Sequence, residues 1–253
     1  MRQIILLIAC ACSIIACQKD NQVGPNSERL KYVQKIVKVE DGNEIEYVFN
    51  YNSENRLISY VSEEDAVSAA FQYATNGRLL TLKTESDGVM HTLNVEYDQN
   101  GEPKKATLIS HPKEEPEEEE LTQITYQMNQ GRVSRIRYEQ QNDEIIDFNL
   151  TYQGNNLVKI EGLNTDGSIT MTSIFGSRKS AFFASRQKYV LLPDLMFDFF
   201  SENDVVESTL AIPDLAAIKL KYNNQYNELS YPTLIEEINQ ESEIESRTTL
   251  TYK

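Results

Sequence analysis

FQYATNGRLLTL, residues 71–82, places Phe71 and Tyr73 either side of a glutamine. It then turns through Asn76-Gly77 and resumes with a second apolar run. Alternate residues of a strand share a face, so Phe71 and Tyr73 point one way and Gln72 the other. Asn-Gly tolerates the positive φ that a tight hairpin turn requires. The stretch therefore reads as one β-hairpin with an apolar face.

The same unit recurs along the chain. It appears as FNYNSENRLISY at 49–60, VEYDQNGEPKKATL at 95–108, ITYQMNQGRVSRI at 124–136 and LTYQGNNLVKI at 150–160. After a gap come LKYNNQYNELSYPTLIEEI at 220–238 and a shortened LTYK at the C-terminus. The spacing of about 22–30 residues is that of folds built from one repeated supersecondary unit. In each incoming strand the pairs Phe49/Tyr51, Val95/Tyr97, Ile124/Tyr126 and Leu150/Tyr152 share a parity, which turns the tyrosines toward the core. The outgoing strands are less regular. Leu57, Ile58, Tyr60 and Val61 fall on both parities, so that strand is either covered on both faces or carries a bulge.

These motifs predict an all-β fold, a twisted antiparallel meander of repeated hairpins. Between Ile160 and Leu220 the rhythm breaks. Leu191, Leu192, Leu195, Met196, Phe199 and Phe200 recur at helical spacing behind Pro193, and predict a short helix near 193–201. A second helix or turn is expected at Pro213–Ala217. The predicted helix-bearing insertion, about 174–218, packs on the sheet as a plug; a pocket for a hydrophobic ligand is the alternative.

The first twenty residues, MRQIILLIACACSIIACQKD, carry one early cation, an apolar run and then Ala16-Cys17, the layout of a secretory signal peptide. Ile14-Ile15-Ala16-Cys17 resembles a bacterial lipobox, which implies cleavage after residue 16 and acylation of Cys17. All three cysteines, Cys10, Cys12 and Cys17, lie in this leader, so the body is held without disulfides. Gln18, Lys19 and Asp20 are similar to the short acidic signal that exports lipoproteins of the Bacteroidota to the outer face of the outer membrane; the periplasmic side is the alternative. Residues 17–29 read as a lipidated tether and residues 30–253 as a single domain. Tyr73…Asn76-Gly77-Arg78-Leu79 and Tyr97-Asp98-Gln99-Asn100-Gly101 resemble the YD repeat, the unit of large bacterial β-shell proteins. About six degenerate copies are too few for a shell. With the lipobox, the chain resembles a Bacteroidota family of outer-membrane lipoproteins of unknown function, whose Tyr-Pro-Thr strand would match Tyr231-Pro232-Thr233. That resemblance implies no activity and no catalytic residues.

A formal charge of −15 argues against nucleic acid or a broad basic contact with anionic lipid. Glu114, Glu115, Glu117, Glu118, Glu119 and Glu120 could hold a cation weakly, yet no glycine-pivoted loop shapes a coordination sphere, and a solvated hairpin loop is the plainer reading. Asp98-Gln99-Asn100-Gly101 lacks the glutamate that would complete a calcium loop. The two histidines, His91 and His111, have no ligand partners at metal-binding spacing. There is no Gly-x-Ser-x-Gly elbow and no phosphate-cradling glycine loop. No catalytic residue, metal or cofactor is indicated. The expected role is a non-enzymatic envelope binding or structural protein, anchored through its lipid, whose partner is a glycan or an envelope protein. A carbohydrate-active enzyme using a carboxylate pair and a carrier of a hydrophobic ligand are the alternatives.

Overall fold

The structure is a computed structural model and describes residues 30–141, 144–164, 167–184 and 201–253. The first strands are β1 (Val33–Glu40), β2 (Asn43–Tyr51), β3 (Leu57–Ser62), β4 (Val67–Tyr73), β5 (Leu79–Ser86) and β6 (Val89–Tyr97). They are followed by β7 (Pro103–Pro112), β8 (Glu120–Asn129), β9 (Arg132–Gln140), β10 (Ile145–Gln153) and β11 (Asn156–Asn164). The last are β12 (Gly167–Lys179), β13 (Asn203–Ala211), β14 (Ile218–Tyr226), β15 (Pro232–Ile238) and β16 (Ile244–Tyr252). They follow chain order around a closed antiparallel barrel. The expected antiparallel meander is present and closes on itself, which the sequence reading did not include: β16 pairs with β1, from Val33↔Tyr252 to Glu40↔Ser246. Closure removes the two bare edges that an open meander would leave. LTYK is therefore no shortened copy, because the first strand supplies its missing outgoing half.

The repeated hairpin has a definite internal chemistry. Asn52, Asp98 and Asn227 each follow the tyrosine-position residue of the incoming strand and cap a five-residue turn. The Asp98 carboxylate accepts from Asn100 N and Glu102 N, both at 2.9 Å. Asn52 Oδ1 does the same for Glu54 N and Arg56 N. The fourth turn residue takes positive φ, as at Asn55, Gly77, Gly101 and Ser230. Just past each turn the register slips by one residue, between Asn50/Tyr51, Gln72/Tyr73, Glu96/Tyr97 and Thr151/Tyr152. That bulge answers the mixed parity of the outgoing strands. Leu57 and Tyr60 are buried while Ile58 and Val61 lie outside, and Leu79 and Leu82 are buried while Leu80 is exposed.

Tyrosines join one hairpin to the next. Tyr73 Oη donates to Leu57 O at 2.6 Å, Tyr97 Oη to Leu79 O at 2.7 Å and Tyr252 Oη to Pro232 O at 2.7 Å. The acceptor each time is the first residue of the neighbouring outgoing strand, beside the bulge. A cation one residue earlier covers the ring, as Arg78 does over Tyr97 and Arg132 over Tyr152.

All these turns lie at one end of the barrel, the tyrosine end. There Val33, Leu57, Leu79, Val133 and Leu157, each just past a turn, form a buried ring. Phe182 enters that core and meets Phe49 at 5.6 Å between ring centres. Ser180 and Ser201 are buried and joined, Ser180 Oγ donating to Ser201 O at 2.7 Å. The expected helix near 193–201 falls, but for Ser201, outside the described residues, and no helix occurs among those described. Within the expected insertion, about 174–218, residues 174–179 and 203–211 belong instead to β12 and β13, whose strands lack the tyrosine-turn signature and so broke the visible rhythm, and residues 185–200 lie outside the described residues. Pro213–Ala217 is a turn region, closed by Leu215 N donating to Ile212 O.

The outer wall mixes charged and apolar side chains. Cross-strand pairs Lys35–Glu46 (2.6 Å), Arg135–Asp147 (2.8 Å) and Arg247–Glu236 (2.9 Å) lie on it. On a lipid-facing barrel, each Arg or Lys at mid-membrane would cost about 2–4 kcal/mol. Val39, Ile58, Val61 and Leu80 are exposed between these charges.

Candidate functional site at the barrel mouth

Away from the tyrosine end the inward-facing positions change character. In β2 they pass from buried Phe49 to half-buried Tyr47, in β6 from Leu93 to His91, and in β1 from Ile36 to Lys38 and Glu40. Tyr47, Leu108 and Met171 pack on the core yet remain half-buried, so water reaches inward-facing side chains from this end. Among the described residues the apolar core fills the tyrosine end, and half-buried, more polar side chains line the other end, the mouth.

Short polar pairs line the mouth. His91 Nδ1 lies 2.8 Å from Ser110 Oγ across β6 and β7. Burial, aided by the neighbouring His111, lowers the His91 pKa and favours the neutral ring. Tyr47 Oη donates to the Asp65 carboxylate, and the Tyr222 and Ser208 hydroxyls lie 2.9 Å apart. Ser173 shares the inward parity of Met171 and is buried, and its Oγ has no hydrogen-bond partner among the described residues. Glu237, Ser246 and Glu40 form one row across β15, β16 and β1. Burial raises the Glu237 pKa; Lys38 opposes the rise and Glu245 and Glu40 add to it.

Deeper in the barrel wall, Asp204 is buried and accepts from Arg178 N and Asn224 Nδ2, both at 3.1 Å, and from Tyr226 Oη. Burial first, then the hydrogen bond to Asp204, pushes the Tyr226 phenol up to about 12. The carboxylate's partners sit on β12 and β14, so it ties three strands together and is a structural group rather than one presented to a ligand.

The residues singled out in the sequence fall elsewhere. Cys17, Gln18, Lys19 and Asp20 lie outside the described residues. Glu114, Glu115, Glu117, Glu118 and Glu119 are exposed on the β7–β8 connection at the rim and Glu120 is exposed at the start of β8, and Lys113 pairs with Glu85. Among the described residues no group of three or more His, Cys, Asp or Glu side chains is arranged to hold a metal ion. Sequence reasoning missed the mouth because its members are single residues spread over many strands. The available signal was the inward parity of Lys38, Glu40, His91 and Glu237, polar groups at positions where the repeat elsewhere is apolar.

Neither a protein-family model nor a curated protein matches the sequence. Solved structures do. A porin-like protein from Bacteroides vulgatus superposes with a TM-score of 0.60 at 12% identity, covering 88% of this chain and 99% of that one. A porin-like protein from Bacteroides uniformis gives 0.56 at 10% identity, covering 87% and 96%. At such identities the likeness is one of fold: this chain is similar to both in its β-barrel architecture.

Proposed function

We propose that the protein is a non-enzymatic, lipid-anchored binding protein of the cell envelope, held at the outer membrane and displayed on the cell surface, whose mouth receives a hydroxyl-rich ligand of the glycan class. The mouth carries the reading. Inward-facing Tyr47, Tyr222, His91, Ser110 and Ser208 combine aromatic faces with hydroxyl and imidazole groups that can exchange hydrogen bonds with a sugar. The lipobox at Ile14–Cys17 and the residues Gln18-Lys19-Asp20 support the location. The fold shared with two Bacteroides porin-like proteins suits an envelope setting. The charged outer wall supports a barrel carried beside the membrane rather than through it.

Half-buried Leu108, Met171 and Ile235 favour a second reading, a carrier whose ligand rests an apolar group on the floor of the mouth. A glycan array probed with the mature protein separates the two. Binding that is lost in Tyr47→Ala/Tyr222→Ala supports the first. A blank array with lipid co-purifying in native mass spectra supports the second. Turnover of any glycan, abolished by Glu237→Gln, would overturn the non-enzymatic reading.

A further inference from the structure

The negative charge of the protein is concentrated at one end. Among the described residues, the connections at the mouth carry fourteen carboxylates against one cation, Lys113. The turns at the tyrosine end carry five carboxylates and two cations, with Lys31 and Lys253 beside them next to β1 and β16. So one-sided a rim focuses a negative potential over the mouth and raises the local concentration of cations there. Acidic loops alone only attract; selection needs groups inside.

Those groups form a polar row on the inner wall. Paired positions on neighbouring strands face the same side. Ser173 on β12 therefore stands beside Ser208 on β13, and Tyr222 on β14 beside Glu237 on β15. The Ser208 and Tyr222 hydroxyls join the two pairs at 2.9 Å. Ser246 and Glu40 continue the row on β16 and β1. Each end of the stretch from Ser173 to Glu237 holds a group kept at a cost. Ser173 is 6% exposed, yet its Oγ has no hydrogen-bond partner among the described residues, and a buried hydroxyl in that state is destabilising until something completes it. Glu237 is a half-buried carboxylate whose ionisation is opposed by burial, while the cation beside it, Lys38, pairs with Glu40 at 2.5 Å. Three strand spacings separate Ser173 from Glu237, about 14 Å of wall, a reach that suits an oligosaccharide rather than one sugar ring.

We propose that the glycan received by the mouth carries unmasked primary amines, with an ammonium group against Glu237 and a hydroxyl of another ring at Ser173 Oγ. This takes the glycan class from the reading above and narrows it to an amino sugar. The acidic rim draws the polycation in, the two ends of the row set its register, and the Tyr222 ring between them gives a sugar a face to pack on.

The test is calorimetric titration of the mature protein with three tetrasaccharides of the same β linkage, differing only in the substituent at the second carbon: an amine, an acetamide or a hydroxyl. In weakly acidic buffer that keeps the amines protonated, the amine tetramer should bind about tenfold tighter than either of the others, an advantage that shrinks as salt is added. Glu237→Gln and Ser173→Ala should each lower that affinity about fivefold without lowering the melting temperature, since each removes a group that costs the empty fold stability. A purely structural role would not lower affinity while stability holds. Equal binding of the acetamide or hydroxyl tetramer overturns the amine requirement and leaves the glycan class standing. Tetralysine binding as tightly as the amine tetramer shows that charge alone suffices, and overturns the amino-sugar assignment. Unchanged affinity in both variants overturns the placement in this row. Binding by none of the three tetramers also overturns the proposal, and the glycan array then judges the glycan class separately.

Discussion

At the scale of single residues, the tyrosine hydroxyl turns a hairpin into a repeat. Tyr97 Oη satisfies Leu79 O where the bulge takes that strand out of register. Tyr97→Phe keeps the ring under Arg78 and removes only the hydrogen bond, so urea unfolding should show a loss of about 1 kcal/mol. Gly101 is constrained twice. It has φ +86°, and an added Cβ would lie 1.6 Å from Arg78 Nη2. Gly101→Ala must displace the guanidinium from the Tyr97 ring and hold an L-residue in the left-handed region. A loss of about 2 kcal/mol is expected, larger than for Gly42→Ala, whose site has nothing within 4 Å. Glu237 makes a pH-dependent contribution of the opposite sign to most acids. Burial raises its pKa above the ordinary 4.5, so the folded state holds a proton that the unfolded chain releases. Stability from this group is therefore lost as pH rises above 4.5. Glu237→Gln should melt higher than the parent at neutral pH, and that advantage should vanish near pH 4, roughly where Glu237 of the parent is protonated in its folded and unfolded states alike.

At the scale of elements, the turn is set by the residue after the tyrosine position. Asn52, Asp98 and Asn227 cap their turns, whereas Ala74 cannot, although Ala74 N still donates to Arg78 O at 2.8 Å. Ala74→Asp should supply two acceptor contacts like those of Asp98 and raise stability by about 0.5–1 kcal/mol in urea unfolding. Element-level features were the most legible in the sequence. The incoming strands, their inward tyrosines and the turns were all readable from parity and from Asn-Gly. The bulge was one of two open alternatives, since mixed parity is compatible with a strand covered on both faces. β12 and β13 went unread as strands because inward Ser173 and Asp204 interrupt their apolar alternation. Met128 shows how the repeat drifts: it occupies the bulge position taken elsewhere by tyrosine, while Tyr126 moves two residues inward and is buried.

At the scale of the molecule, closure was not legible, because each hairpin reports only its neighbours and nothing local says that the last strand will meet the first. The mouth was illegible for the same reason, since its residues meet only once the ring is closed. Closure gives its own prediction. Removing residues 244–253 leaves β1 paired only with β2 and β15 only with β14, each with one bare edge. Near-ultraviolet dichroism from the tyrosines should lose its cooperative thermal transition, and the protein should self-associate through the bared edges. A monomer that melts cooperatively would show that β15 can seal against β1 directly.

The seam joining Val33 to Tyr252 also bears on how the protein is made. Synthesis delivers β16 after the other fifteen strands, so until then the wall is an incomplete ring whose first strand keeps one bare edge. Full burial of the inner face, and with it protection from proteases, waits for β16 to pair with β1. Maturation is then governed by how long the nascent wall stays unsealed. Substitutions near Tyr252 and Lys253 should lower yield in the cell by more than they lower the melting temperature of protein that has already closed.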